Sequence, residues 1–240
     1  MNQKHENRHR LITVVVFAIA MAWVESAVVF YLRTFIHRIE PYQANPLPII
    51  GRLGPVELGR ELATMIMLFT VGVLAGKTWR ARWGYAALAF GVWDIFYYIF
   101  LKIMCDWPHS LLDWDILFLL PLPWWGPVLA PVLIATLMIS WGMLATQFER
   151  NHPPALSNGR VWIVTFLGMF LALYVFMTDT LRVAGQGTEV IRNVLPVNFN
   201  WPLFVVALAL LSAPVVQELW ERFPRRELAA DAVEAPQSNQ

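Results

Sequence analysis

The sequence predicts an all-α integral membrane protein, a six-transmembrane-helix bundle with one short re-entrant or interfacial helix before the fourth span. Three observations carry that expectation. Hydrophobic residues make up 58% of the 240-residue chain and charged residues only 15%, whereas a soluble domain carries charge at about one residue in four. Six apolar runs reach the roughly 20 residues that a helix needs to cross a bilayer. The basic residues between those runs are unevenly divided, as the cytoplasmic excess of Lys and Arg predicts.

The first run, near 11–36, follows a polar, basic N-terminus over 1–10. Ala20-Met21-Ala22 imitates a cleavage site, but the run stays apolar to Ile36 and reads as an uncleaved span. Further spans are expected near 57–76, 84–104, 126–147, 160–178 and 201–220. Between the third and fourth, the apolar stretch from Ser110 to Leu122 is too short to cross. Asp106 is placed as an N-cap with Pro108 in the first turn, and Pro121 and Pro123 stop the segment, so a short helix is expected over 107–120.

Charge decides against letting that segment cross. With six spans and the N-terminus inside, Lys4, Arg8, Arg10, Lys77, Arg80, Arg82, Arg150, Arg160, Arg222, Arg225 and Arg226 face the cytoplasm, eleven of the eighteen basic residues. A seventh crossing would leave eight there. Both termini are therefore expected in the cytoplasm, with 221–240 a largely disordered tail. The long loops over 37–56 and 179–200 fall outside, as lids or docking surfaces.

Charge inside a bilayer is costly, so each ionisable group there needs a reason. Within the six runs the acids, apart from Glu218 at the end of the last, are confined to the first three: Glu25, Glu57, Glu61 and Asp94. Asp94 lies ten residues into the third run, about 15 Å from its start and near the midplane. Tyr97 and Tyr98 follow at i+3 and i+4, where a phenol can reach the carboxylate. Glu25 reaches a comparable depth in the first helix, with Arg33 two turns further on as an ion-pair partner. Glu57 and Glu61 share a helix face beside Arg60; an ion-paired helix start accounts for Glu57, and Glu61 sits one turn deeper.

If the first and third helices touch, Asp94 and Glu25 could share a proton, deliver one or hold a cation. Asp94, Glu25, Glu61 and Tyr98 are therefore the candidate catalytic residues. Interhelical hydrogen bonding is the competing account of Asp94.

Asp106, His109 and Asp113 are spaced i, i+3 and i+7, with Asp115 a little round the turn, and a helix would align them on one side. His109, Asp113 and Asp115 are the candidate ligands for a divalent metal such as zinc or iron. Nothing else in the sequence demands a cofactor. One cysteine, Cys105, rules out an internal disulfide or a thiolate metal site. A net charge of +1 with no dense basic stripe argues against nucleic acid as a partner.

Several of the twelve tryptophans fall where an interfacial aromatic belt is expected. The run Pro121-Leu122-Pro123-Trp124-Trp125-Gly126-Pro127 is less ordinary. Irregular backbone at membrane depth is tolerated where protein or a cavity surrounds it, which favours a site behind this run.

The segments Trp93-Asp94-Ile95-Phe96-Tyr97-Tyr98 and Asp113-Trp114-Asp115-Ile116-Leu117-Phe118-Leu119-Leu120-Pro121 resemble those of uncharacterised bacterial integral membrane proteins without assigned activity. That resemblance covers the middle third of the chain, implies a bacterial inner membrane and implies no function. Size and acidic helices are also similar to integral-membrane terpene cyclases, whose carboxylate motifs do not align here. Ceramidase-like hydrolases share only the layout, since they need histidines this chain lacks.

Three functions stay open on the sequence. One is an enzyme acting by acid–base chemistry on a lipophilic small molecule drawn from membrane lipid in the outer half of the bilayer. Another is a proton- or cation-coupled transporter using the same acids, and the third a non-catalytic subunit or assembly factor.

Overall fold

The computed structural model describes residues 3–43, 53–119, 122–147, 159–187, 190–191 and 194–221. Its long helices are α1 (Gln3–Phe35), α2 (Leu53–Ala75), α3 (Trp79–Cys105), α4 (Leu129–Gln147) and α5 (Gly159–Val183). The last apolar run is divided into α6 (Trp201–Leu211) and α7 (Ala213–Trp220). Pro214 lies in the first turn of α7, where its missing amide costs least. Counting that pair as one, six helices are long and apolar enough to cross a membrane. Large apolar side chains are turned outward along them, Leu74, Val16 and Ile163 among them, as lipid rather than water would allow.

Several boundaries differ from the expected ones. Residues 3–10, expected as a polar terminus, are the first turns of α1, fastened by Arg10 donating to the Ala75 carbonyl at the end of α2. Helix α5 runs past 178 to Val183, which takes Asp179 and Arg182 out of the expected loop. All of the expected tail except Glu221 lies outside the described residues.

Helix α3 is the centre of the first four helices and packs on α1, α2 and α4. Small residues set its distance from α4. A Cβ at Gly91 would come within 2.5 Å of the Ala135 carbonyl oxygen, and one at Gly142 within 2.5 Å of the Gly84 carbonyl oxygen. Backbones that close are the ordinary route to tight packing in lipid, where no hydrophobic force drives helices together. Helix α5 packs instead on α6, around Phe176, Phe204 and Ala207. Among the described residues α2 makes no backbone contact with α5, and α4 makes none with α5.

The segment after α3 overturns the expected short helix. Asp106 is not an N-cap; it ends α3 in the left-handed region, φ 57°, its amide bonded to the Lys102 carbonyl. Beyond it the chain forms an antiparallel β-hairpin of β1 (Trp114–Ile116) and β2 (Trp125–Pro127), with Asp115 opposite Gly126. The ladder continues past both strands, Leu117 N–H to Trp124 O at 2.9 Å and Trp124 N–H to Phe118 O at 2.8 Å. Prolines that cannot sit inside a helix can sit at the end of such a hairpin, and aromatic residues fit its pleat. Pro123 is placed beside β2, while Leu120 and Pro121 lie outside the described residues.

The hairpin enters the bundle. Leu119 N–H reaches the Glu61 carboxylate of α2, and the Thr180 hydroxyl of α5 donates to the Pro123 carbonyl at 2.8 Å. Side chains thus finish the hydrogen bonding that the ladder leaves open, which is what non-helical backbone among apolar helices requires. A strap over 37–43 lies against it, Tyr42 stacking on Trp114 with ring centroids 6.4 Å apart.

Candidate functional site

A cavity of about 720 Å³ lies between the hairpin and helices α1 to α5. One end is charged, lined by Glu25 and Arg33 of α1, Glu57, Arg60 and Glu61 of α2, Asp94 of α3 and Asp115 of β1. The other end is apolar, lined by Met138 of α4, Trp162, Phe166 and Met169 of α5, and Leu211 of α6. From Trp162 to Phe176 it follows α5 for about 20 Å at 1.5 Å per residue.

The charged end is a set of closed pairs with one exception. Arg33 meets Asp115 at 2.9 Å, the arginine stacked 4.3 Å over the Trp107 ring and also donating to the Ile39 carbonyl at 3.3 Å. Asp115 takes a further bond from the Ile116 amide and lies within reach of Tyr98. Arg60 pairs with both Glu57 and Glu25, and Glu25 accepts from the Thr64 hydroxyl at 3.1 Å. Glu61 is held by the Leu119 amide, at 3.2 and 3.1 Å from its two oxygens. Asp94 is the exception: 8% exposed, it makes no hydrogen bond or ion pair with any described residue.

The structure therefore brings Asp94, Glu25, Glu61 and Tyr98 to one cavity, and divides their roles differently from the sequence reading. Glu25 pairs with Arg60 rather than Arg33, so it is not a bare acid beside Asp94. Tyr98 is turned to Asp115. Helix α1 meets α3 through Ser26, whose hydroxyl donates to Ala22 O and reaches Tyr97 O at 3.1 Å.

The expected metal ligands are not aligned on a helix. Asp113 closes the turn before β1 by accepting from the His109 and Ser110 amides, at 2.7 and 3.2 Å. His109 is exposed against Glu40 at 3.4 Å, and Asp115 is 1% exposed against Arg33. Lys102, hydrogen-bonded to Asp106, holds that exposed carboxyl below the usual carboxylate range. Among the described residues no three His, Cys, Asp or Glu side chains gather as a metal site.

Sequence reasoning missed Asp115 as the partner of Arg33 and Thr64 as the partner of Glu25. It also passed over Glu218, taken as a helix end, which is buried with Arg80 at 2.8 Å. Arg80 also donates to the Ala145 carbonyl at 2.7 Å, so it joins α3, the end of α4 and α7. Trp93 and Trp124 line the cavity with buried indole N–H groups that find no acceptor among the described residues.

No protein-family model matches this chain, and neither a curated protein nor a solved structure does.

Proposed function

We propose that the chain is a multi-pass membrane enzyme that takes a lipophilic substrate from the bilayer and transfers a proton to or from it at Asp94. The observation that carries this reading is a buried carboxyl without a partner, set in a cavity charged at one end and apolar at the other. Each other acid there already has a cation or an amide, so Asp94 is the group left to meet a substrate. A carboxyl that serves only to hold helices together would be hydrogen-bonded across an interface. Helices α2 and α5 both line the cavity without backbone contact with each other, and in this reading the hydrocarbon chain enters from lipid between them.

Lipid extracts of membranes carrying the wild-type chain, Asp94→Asn or Thr165→Trp test this. Thr165 lines the apolar end, and an indole there obstructs the chain path without touching the acids. Both variants should shift the same lipid species in the same direction relative to wild type. Identical lipid profiles for all three would sink the enzymatic reading and leave the transporter and the non-catalytic subunit.

For the orientation, we propose that both termini and the α2–α3 turn face the cytoplasm and that the hairpin end faces away from it, in line with the distribution of Lys and Arg. Reporter domains fused after Glu221 or inserted at Lys77 should both report cytoplasm. A reporter at Lys77 on the far side would reverse the assignment.

A further inference from the structure

We infer, building on the reading of Asp94 as the reacting acid, that the charged end of the cavity receives an ammonium head group, so the substrate is an amine-headed amphiphile.

Charge comes first. Five carboxylates line that end, Glu25, Glu57, Glu61, Asp94 and Asp115, against three guanidiniums, Arg33, Arg38 and Arg60. Arg33 is closed by Asp115, and Arg60 by Glu25 and Glu57 together. Arg38 is turned to the Gln43 carbonyl at 2.8 Å. A phosphate or carboxylate head would find Arg33 and Arg60 already paired with carboxylates and would add to a surplus of negative charge in a low-dielectric site. What the site lacks is a cation, and the place that lacks it is Asp94, which is more than nine-tenths buried, lines the cavity and has no partner.

The walls point the same way. Phe90, Trp93, Tyr97, Phe118 and Trp124 line the same cavity as that acid and touch one another in a chain: Phe90 with Trp93 at 5.4 Å, Trp93 with Tyr97 at 6.2 Å, Phe90 with Phe118 at 6.4 Å, and Phe118 with Trp124 at 5.1 Å between centroids. Aromatic walls beside a carboxylate are the arrangement that binds an alkylammonium, because ring faces attract the cation after its water is stripped away. Lipid-facing aromatics would serve an interfacial belt, but these turn inward to the cavity.

The chemistry agrees with proton transfer at Asp94. A primary ammonium bound there gives one N–H proton to the carboxylate, leaving a neutral amine with its electron pair free and a neutral carboxylic acid. Charge and atoms balance within the pair. The Arg33 and Arg60 pairs are not disturbed.

The test uses the full chain purified in an alkyl maltoside, titrated separately with dodecylammonium, dodecanol and dodecyl phosphate. Fluorescence of the cavity tryptophans gives binding, and thermal unfolding checks it. Dodecylammonium should bind at least about tenfold more tightly than dodecanol, with dodecyl phosphate no tighter than dodecanol. In Asp94→Asn the advantage of the ammonium over the alcohol should fall by about tenfold, while dodecanol binding is retained. That ratio cancels any difference in how the three partition into micelles. Preference for the phosphate, or an ammonium-to-alcohol ratio untouched by Asp94→Asn, overturns the head-group assignment and leaves the cavity as a lipid site. Binding of none of the three overturns the assignment together with the lipophilic-substrate reading beneath it.

Discussion

Arg33→Ala should destabilise the protein in detergent by about 3–5 kcal/mol, the cost of stripping one partner from a buried ion pair. Asp115 is 1% exposed and would be left facing the cavity floor without its counter-charge. The same change removes the stacking on Trp107 and the bond to Ile39 that fasten the strap to the end of α1. Adding Asp115→Asn to Arg33→Ala should recover part of the loss, because an amide can be buried there at far lower cost than an unpaired carboxylate. Arg182→Ala is the control. Its pair with Asp179 is formed by an arginine that is 68% exposed, and pairs of that kind are worth about 1 kcal/mol or less. Equal losses for Arg33→Ala and Arg182→Ala, in equilibrium unfolding followed by tryptophan fluorescence, would show that the first pair does not hold the hairpin.

Asp94 should behave in the opposite sense, with a large effect on activity and little on stability. Asp94→Asn and Asp94→Leu should each unfold within a few degrees of wild type, since neither breaks a hydrogen bond or ion pair with a described residue. Turnover of the lipid species identified by extraction should fall by about 10² to 10⁴ in both, the usual contribution of a positioned acid or base. If Asp94 instead held helices together, Leu would lower the melting temperature markedly and Asn would preserve activity. Melting and turnover measured on the same two preparations separate these outcomes.

The bundle was legible in the sequence because lipid imposes a simple rule: about 20 apolar residues in a row have few other uses. Asp94 and Glu25 were legible for the same reason, as acids set in runs where acids are expensive. Their partners were not. Arg33 and Asp115 are separated by 82 residues, and nothing in either neighbourhood points to the other.

The hairpin was misread for a more instructive reason. Asp106 is as good a residue for a left-handed helix end as for an N-cap, and composition alone does not say which side of it is helical. The proline-rich, aromatic stretch after it folds back on itself as a hairpin. Its strand character rests on the pairing of β1 with β2, and its seat in the bundle on hydrogen bonds to Glu61 and Thr180, both far away in sequence. The helical alignment behind the metal expectation fell with it, because His109, Asp113 and Asp115 share a face only on a helix.

Two of the ion pairs of the charged end impose an order on biogenesis. Glu25 and Arg33 both belong to α1, which leaves the ribosome before the other described helices. Glu25 gains Arg60 as soon as α2 is made, whereas Arg33 waits until α3 is complete and the hairpin behind it has emerged. During that interval the Arg33 guanidinium of α1 has yet to meet its counter-charge. The hairpin, arriving between the third and fourth helices, is then the clasp that completes the first half of the molecule before α5 and α6 are synthesised.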